Sequence, residues 1–157
     1  MAMSGIYKTI SLDYPLISII IPLYNYERFI GECLMSCIEQ TYKNIEILVI
    51  DDCSTDGGLE IAMEAVALDD RIKVHKLPEN RGYSAAKNVG IRASRGEYIA
   101  HLDADDLLLS DSIKVRLEAF RDDIDMVHEL AWRYRKINGN GRRTAITRKL
   151  TFTLKRF

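Results

Sequence analysis

The sequence predicts an α/β fold: a Rossmann-like, three-layer α/β/α domain around a mostly parallel sheet. Three observations predict it. Short apolar runs alternate along the chain with stretches whose apolar residues recur every three or four positions, the pattern of strands joined by crossover helices. The runs at 16–21 (LISIII) and 45–50 (IEILVI) are apolar at five of six positions, as in strands covered on both faces. Polar clusters follow the strand candidates at 22–26, 51–56, 79–83 and 103–106, beyond the carboxyl ends where such sheets bind ligands.

Composition narrows the class. A chain of 157 residues with 47% hydrophobic and 29% charged residues suits one soluble domain with a real core. Its apolar runs fall far short of the roughly 20 residues that cross a bilayer. Residues 1–11 lack a secretory pattern, and three Cys, an odd number, argue for a reducing compartment. A cytoplasmic protein is expected. Transmembrane, collagenous, coiled-coil and disulfide-scaffold classes are excluded.

Each element has its own signal. Residues 16–21 read as a buried strand closed by Pro22. Residues 27–40 place Phe29, Ile30, Cys33, Leu34, Cys37 and Ile38 on one helical stripe. Residues 45–50 form the second strand, and Ser54 or Asp56 caps a helix over 57–68 with Ile61, Ala62, Ala65 and Val66 inward. A third strand at 72–77 ends before Pro78, and a small-residue helix over 83–94 is stopped by Gly96. The fourth strand is 98–102, Ser110 or Asp111 caps a helix over 112–120, and strands are expected at 125–130 and 132–137. Beyond Lys136 the NGNG run at 138–141 reads as a turn and the rest has no clear period.

The net charge of −1 conceals a split. All 23 acidic residues lie at or before Glu129, against 13 basic ones, while the last 28 residues carry nine Lys or Arg and no acid. Such a tail can contact anions or a membrane surface, or it is the start of a larger region; the second reading is preferred.

Asp103-Ala104-Asp105-Asp106 directly follows a buried strand. Carboxylates so close repel unless a cation neutralises them, and hard oxygen ligands suit magnesium or manganese. Asp103 and Asp105 are the candidate ligands, whereas Asp106 and Asp111 read as acidic residues at a helix entry. In Asp51-Asp52-Cys53-Ser54-Thr55-Asp56, one of the two adjacent Asp is assigned to a nucleobase or ribose, and the remainder to turn chemistry. Tyr24 can stack on a base, while Tyr26 reads as a rim aromatic. Asn80, Gly82 and Ser84 open the small-residue helix, whose N–H groups, with Lys87, can meet a diphosphate. Cys33 and Cys37, spaced for a metal but without further ligands, read as core, and His75, His101 and His128 as strand residues.

Together, residues 17–25 (ISIIIPLYN), Gln40-Thr41-Tyr42, 46–56 (EILVIDDCSTD), 80–90 (NRGYSAAKNVG) and 96–106 (GEYIAHLDADD) resemble the nucleotide-sugar-binding half of family-2, GT-A-fold inverting glycosyltransferases, over about 17–127. The resemblance implies transfer of a sugar from a nucleotide diphosphate, with a lean to uridine, to a hydroxyl of a saccharide or lipid-linked acceptor. It implies a nucleotide site of Pro22, Tyr24, Asn25, Asp51, Asp52, Asn80, Gly82, Lys87 and Asp103. Asp103 and Asp105 would hold Mn or Mg. No nucleic acid is expected as a partner.

Cys53 stands where the family commonly has a small or polar residue. The family's catalytic base is a carboxylate of the second half, and no acid follows Glu129, so the base is not expected within this chain. The implied division is an N-terminal extension at 1–15, a nucleotide-sugar-binding domain at 16–130, and a basic segment at 131–157 as the remnant of an acceptor half. Sheet surface left bare by such a truncation predicts self-association, and the basic tail a peripheral contact with the inner membrane face. The alternatives are a non-catalytic nucleotide-sugar binder and, from residues 47–52 (ILVIDD), a receiver-like signalling module. Against the receiver, a whole strand and helix precede that run.

Overall fold

The computed structural model describes residues 14–119, 126–131 and 149–155. Along the chain run β1 (Ile17–Leu23), α1 (Glu27–Ile38), β2 (Ile45–Asp51), α2 (Gly58–Leu68), β3 (Ile72–Lys76), α3 (Tyr83–Ala93), β4 (Tyr98–His101), α4 (Ser112–Ala119), β5 (Met126–Ala131) and β6 (Lys149–Lys155). The sheet order is β3-β2-β1-β4-β6-β5. The first four strands are parallel, with Ile17 opposite both Ile45 and Tyr98. β6 runs antiparallel between β4 and β5. The Rossmann-like α/β arrangement expected from the sequence is therefore present.

Alternation along the central strands builds two apolar layers. Ile17, Ile19, Ile21 and Leu23 of β1, with Ile45, Ile47 and Val49 of β2, pack with Ile30, Cys33, Leu34 and Cys37 of α1 and Ala62 and Ala65 of α2. The opposite face sets Ile20, Leu48, Ile50 and Ile99 against Ala86 of α3. The small residues of α3 have a steric cause: a Cβ on Gly90 would lie 2.4 Å from Ile20 Cγ2.

The polar positions of the strands have partners as well. Glu46, buried in β2, accepts from Ser18 Oγ (2.7 Å), Arg95 N (2.7 Å), Arg95 Nε (3.0 Å) and Lys73 Nζ (3.3 Å). Burial pushes the Glu46 carboxyl up, but these hydrogen bonds outweigh it and hold it down at about 2. This network ties β1, β2, β3 and the α3–β4 turn at the amino ends of the strands, away from the cluster-bearing loops.

Several boundaries differ from the sequence expectation. Pro22 lies inside β1 and does not close it. The ladder with β4 stops at Ile20↔His101, so Pro22's missing N–H removes no rung there. The α3 helix ends at Ser94, whose backbone turns extended. Gly96 instead lets the chain pass β1, where a Cβ would sit 2.6 Å from Ser18 N. Ser54 caps no helix and accepts from Asn25 N at 3.1 Å. Asp56 Oδ1 does accept from Gly58 N (3.0 Å), while its other oxygen takes Glu27 N at the start of α1 (2.9 Å). Strand β6 corrects the expectation of no clear period beyond Lys136: in KLTFTLK apolar residues at 150, 152 and 154 alternate with polar ones, the pattern of a strand. The strand expected at 132–137 falls outside the described residues.

Candidate functional site

Strand order reverses about β1: β2 and β3 lie to one side of it, β4 to the other. Such a switch point leaves a crevice beyond the carboxyl ends of the two diverging strands. A cavity of about 820 Å³ lies there, lined by Pro22, Leu23, Tyr24, Asn25, Tyr26, Asp52, Asn80, Gly82, Tyr83, Ala86, Asp103, Ala104 and Asp105. The volume suits a small-molecule ligand.

Its walls are loops held by one another. Asn25, at φ 57°, uses Oδ1 to accept from Thr55 N (2.8 Å) and Thr55 Oγ1 (3.3 Å), joining the loop after β1 to the loop after β2. In that second loop Cys53 also adopts positive φ, 64°. The buried Asp51 carboxylate accepts from Ser54 N at 3.2 and 3.3 Å, closing the turn on itself. Asp52 reaches across instead: Oδ1 accepts from Arg81 N (2.8 Å) and Oδ2 from Gly82 N (2.7 Å). These charge-assisted bonds fix the loop that opens α3. Gly82 enters that helix at φ 85°, which favours glycine.

On the opposite wall, Tyr83 Oη donates to Asp103 Oδ1 at 2.7 Å, and Lys87 Nζ lies 5.7 Å from the Tyr83 ring centroid. Asp103, Asp105 and Asp106 each offer a carboxylate oxygen, all within 4.8 Å of one another. An all-oxygen, acidic donor set of this spacing fits a hard divalent cation. Beneath it, His101 is buried, and its Nδ1 finds no hydrogen-bond partner among the described residues. Burial and the charge of Lys87 push its imidazole down to about 4, against the pull of Asp103, so it is neutral at pH 7.

The structure gathers most of the residues selected from sequence onto one cavity: Pro22, Tyr24, Asn25, Asp52, Asn80, Gly82, Asp103 and Asp105. Asp51 and Lys87 stand outside its lining: Asp51 is spent on its own turn, and Lys87 lies over Tyr83. Asp106, read as a helix-entry residue, joins the carboxylate cluster. Tyr26, read as a rim aromatic, is on the cavity wall and also meets Phe29, ring centroids 6.1 Å apart. Tyr83 and Ala86 were not singled out, although a helix opening just after a polar loop at the sheet's ligand end was a signal for both. Cys33 and Cys37 are buried in the core, as expected, with the Cys33 thiol pushed up by the neighbouring Cys37 thiol and by burial.

Comparison with known proteins agrees with this geometry. The family described as Glycosyl transferase family 2 matches residues 18–157. A Haemophilus influenzae protein named an uncharacterized glycosyltransferase is 42% identical over 106 residues, 68% of this chain and 42% of that protein. The mannosyltransferase PcManGT from Pyrobaculum calidifontis, solved with GDP-Man and Mn2+, superposes at TM-score 0.70 with 27% identity, over 76% of this chain and 36% of that one. TarS 1-349 of S. aureus, solved with UDP-GlcNAc, gives TM-score 0.61 and 33% identity over 65% of this chain and 30% of that one. The chain thus spans less than half the length of each of these relatives. A family match over nearly the whole chain, on a parallel sheet whose switch point carries the matching motifs, means that the chain belongs to glycosyl transferase family 2.

Proposed function

We propose that this chain forms the donor site of a metal-dependent, inverting glycosyltransferase and binds a nucleotide sugar, with UDP as its nucleotide. The observation that carries the reading is the carboxylate cluster at the end of β4, facing the β1 and β2 loops across one cavity at the switch point. Asp103 and Asp105, with Asp106 beside them, would hold Mn or Mg. The cation would supply Lewis-acid neutralisation of the charge that builds on a departing diphosphate. Tyr24, Pro22 and Asn25 offer a wall for the base. Asp52 fixes the Asn80–Gly82 loop while keeping lone pairs for an imide N–H or ribose hydroxyl. Lys87, steered by Tyr83, adds positive charge behind the diphosphate. The nucleotide sugars bound by PcManGT and TarS support a donor of this class.

Residues 16–130 would be the donor domain and 1–15 an extension. Residues 131–157 would open the acceptor half; the pairing of β6 with β4 supports reading this segment as part of the fold. The acceptor would be a saccharide or a lipid-linked sugar, with the basic residues after Leu130 suited to an anionic lipid surface. No helix among the described residues is long and apolar enough to cross a membrane. A second reading, donor binding without transfer by this chain alone, is favoured by the lack of any acid after Glu129.

Calorimetric titration with UDP, GDP and UDP-sugars, with and without manganese, tests the proposal. UDP binding that strengthens with manganese is expected. Equal binding of UDP with and without the metal, or none at all, refutes it.

A further inference from the structure

Gln40 lies just past α1, in a Gln-Thr-Tyr run that carries the family resemblance but no assigned role. It is fully buried, and its amide is used in three directions. Nε2 donates to Ser36 O (3.0 Å) and Leu109 O (2.6 Å), while Oε1 accepts from Ile113 N (3.1 Å). Two of the three bonds cross to the segment that follows the carboxylate cluster.

Its neighbours reach the same segment. Thr41 N donates to Ser110 O at 2.7 Å. Ser36 Oγ accepts from Leu108 N (3.1 Å) while donating to Cys33 O (2.7 Å). Cys33 Sγ donates to the main-chain oxygen of Asp103 itself at 3.6 Å. The backbone at 103, 108, 109, 110 and 113 is therefore anchored to one stretch of chain, Cys33 to Thr41.

The segment has a small apolar anchor of its own: Leu107 and Leu109 are 57% and 60% exposed, and Ala104 and Leu108 are its buried apolar residues before α4 begins. Its carboxylates lie within 4.8 Å of one another and repel; Tyr83 Oη holds Asp103 from the cavity side, and the backbone beneath the cluster is fixed by a second frame. The buried amide of Gln40 supplies that frame, because a hydrogen bond out of water is directional and costly to break.

We propose that Gln40 is a positioning residue for the Asp103, Asp105 and Asp106 cluster, setting the carboxylates at cation-binding separation before the cation arrives. The inference rests on the donor-site reading above. Groups that orient metal ligands from behind typically cost about 10–100-fold in metal affinity when removed.

The test uses the full chain and two variants. Gln40→Met keeps the length of the side chain and removes all three bonds. Ser36→Ala removes one anchor and is the milder change should Gln40→Met fail to fold. Folding is checked by circular dichroism and thermal melting, and manganese affinity is read from the electron paramagnetic resonance of free Mn2+ in the presence of UDP. Folded Gln40→Met is expected to bind manganese about tenfold more weakly, the low end of that range because Gln40 acts through the backbone, and Ser36→Ala more weakly than wild type by a smaller factor. A purely structural role would lower the melting temperature and leave the manganese affinity of folded protein unchanged; that result in either variant overturns the inference alone. A wild-type chain with no manganese response overturns the donor-site reading and this inference with it.

Discussion

Asp52 shows how much one side chain carries. Its two oxygens hold Arg81 N and Gly82 N, so a substitution acts on the loop as well as on any ligand. In Asp52→Asn an amide –NH2 would face a backbone donor, and the charge assistance of both bonds would go. UDP affinity should fall at least about tenfold, or 1.4 kcal/mol, while manganese affinity changes little. Titration of both ligands checks it; unchanged UDP affinity removes Asp52 from the base-reading role. Asp105→Ala should do the reverse, abolishing most of the manganese dependence of UDP binding. Glu46 makes a prediction about stability. Its carboxyl is held at about 2 in the fold against an ordinary 4.5, so the unfolded chain binds the proton first on acidification. The resulting stabilisation, on the order of 2–3 kcal/mol, is fully present above about pH 5 and is lost as pH falls from there through 2. Urea melts from pH 6 to 3 should show that slope, and Glu46→Gln, less stable at pH 6, should flatten it. An identical slope in wild type and variant refutes the assignment.

At the scale of elements, α3 is where packing decides most. Its approach to β1 and β2 depends on Gly90, because an added Cβ would lie 2.4 Å from Ile20 Cγ2 and 3.2 Å from Ile50 Cγ1. Ile20 and Ile50 are fully buried and cannot swing aside. Gly90→Ala should therefore destabilise by about 1–3 kcal/mol despite the roughly 1 kcal/mol that alanine gains in helix propensity. A melting temperature at or above wild type would show that α3 can slide outward instead. Since α3 also carries Tyr83 and Lys87, the same variant should loosen the Tyr83–Asp103 contact and weaken UDP binding.

For the whole molecule, the prediction is that the chain by itself releases no UDP in response to an acceptor. An inverting displacement needs a base within hydrogen-bond reach of the acceptor hydroxyl, opposite the leaving diphosphate. Asp103 and Asp105 line the donor cavity, and after Glu129 the chain carries no Asp or Glu. A coupled assay of UDP release from UDP-sugars, with and without mixed acceptors, checks this. Robust acceptor-dependent release would place the base on Asp122, Asp123, Asp125 or Glu129, or on a second subunit.

The fold was legible because period is a local property. Strands such as β2 and helices such as α1 declare themselves within a dozen residues, and their alternation leaves few topologies. The site was legible for the same reason, since in a parallel sheet the residues after each strand, Tyr24, Asp52 and Asp103 among them, must meet at one end. Long-range pairing could not be read in this way. Strand β6 (KLTFTLK) does alternate strictly between polar and apolar residues, a local strand signal that the expectation of no clear period beyond Lys136 overlooked, but its antiparallel place between β4 and β5 could not be read from it. Which of two adjacent aspartates bends back on its own turn, as Asp51 does, and which reaches Arg81 and Gly82, 29 and 30 residues away, as Asp52 does, is decided only when the strands are placed side by side. So too is the embrace of the carboxylate segment by Gln40, about 70 residues upstream. The sequence by itself determined the elements, their order and the end of the sheet where chemistry gathers, since these follow from local periodicity and strand direction. The tertiary structure decided which side chains face the cavity and which support them from behind, because hydrogen bonds between distant segments have no local signature.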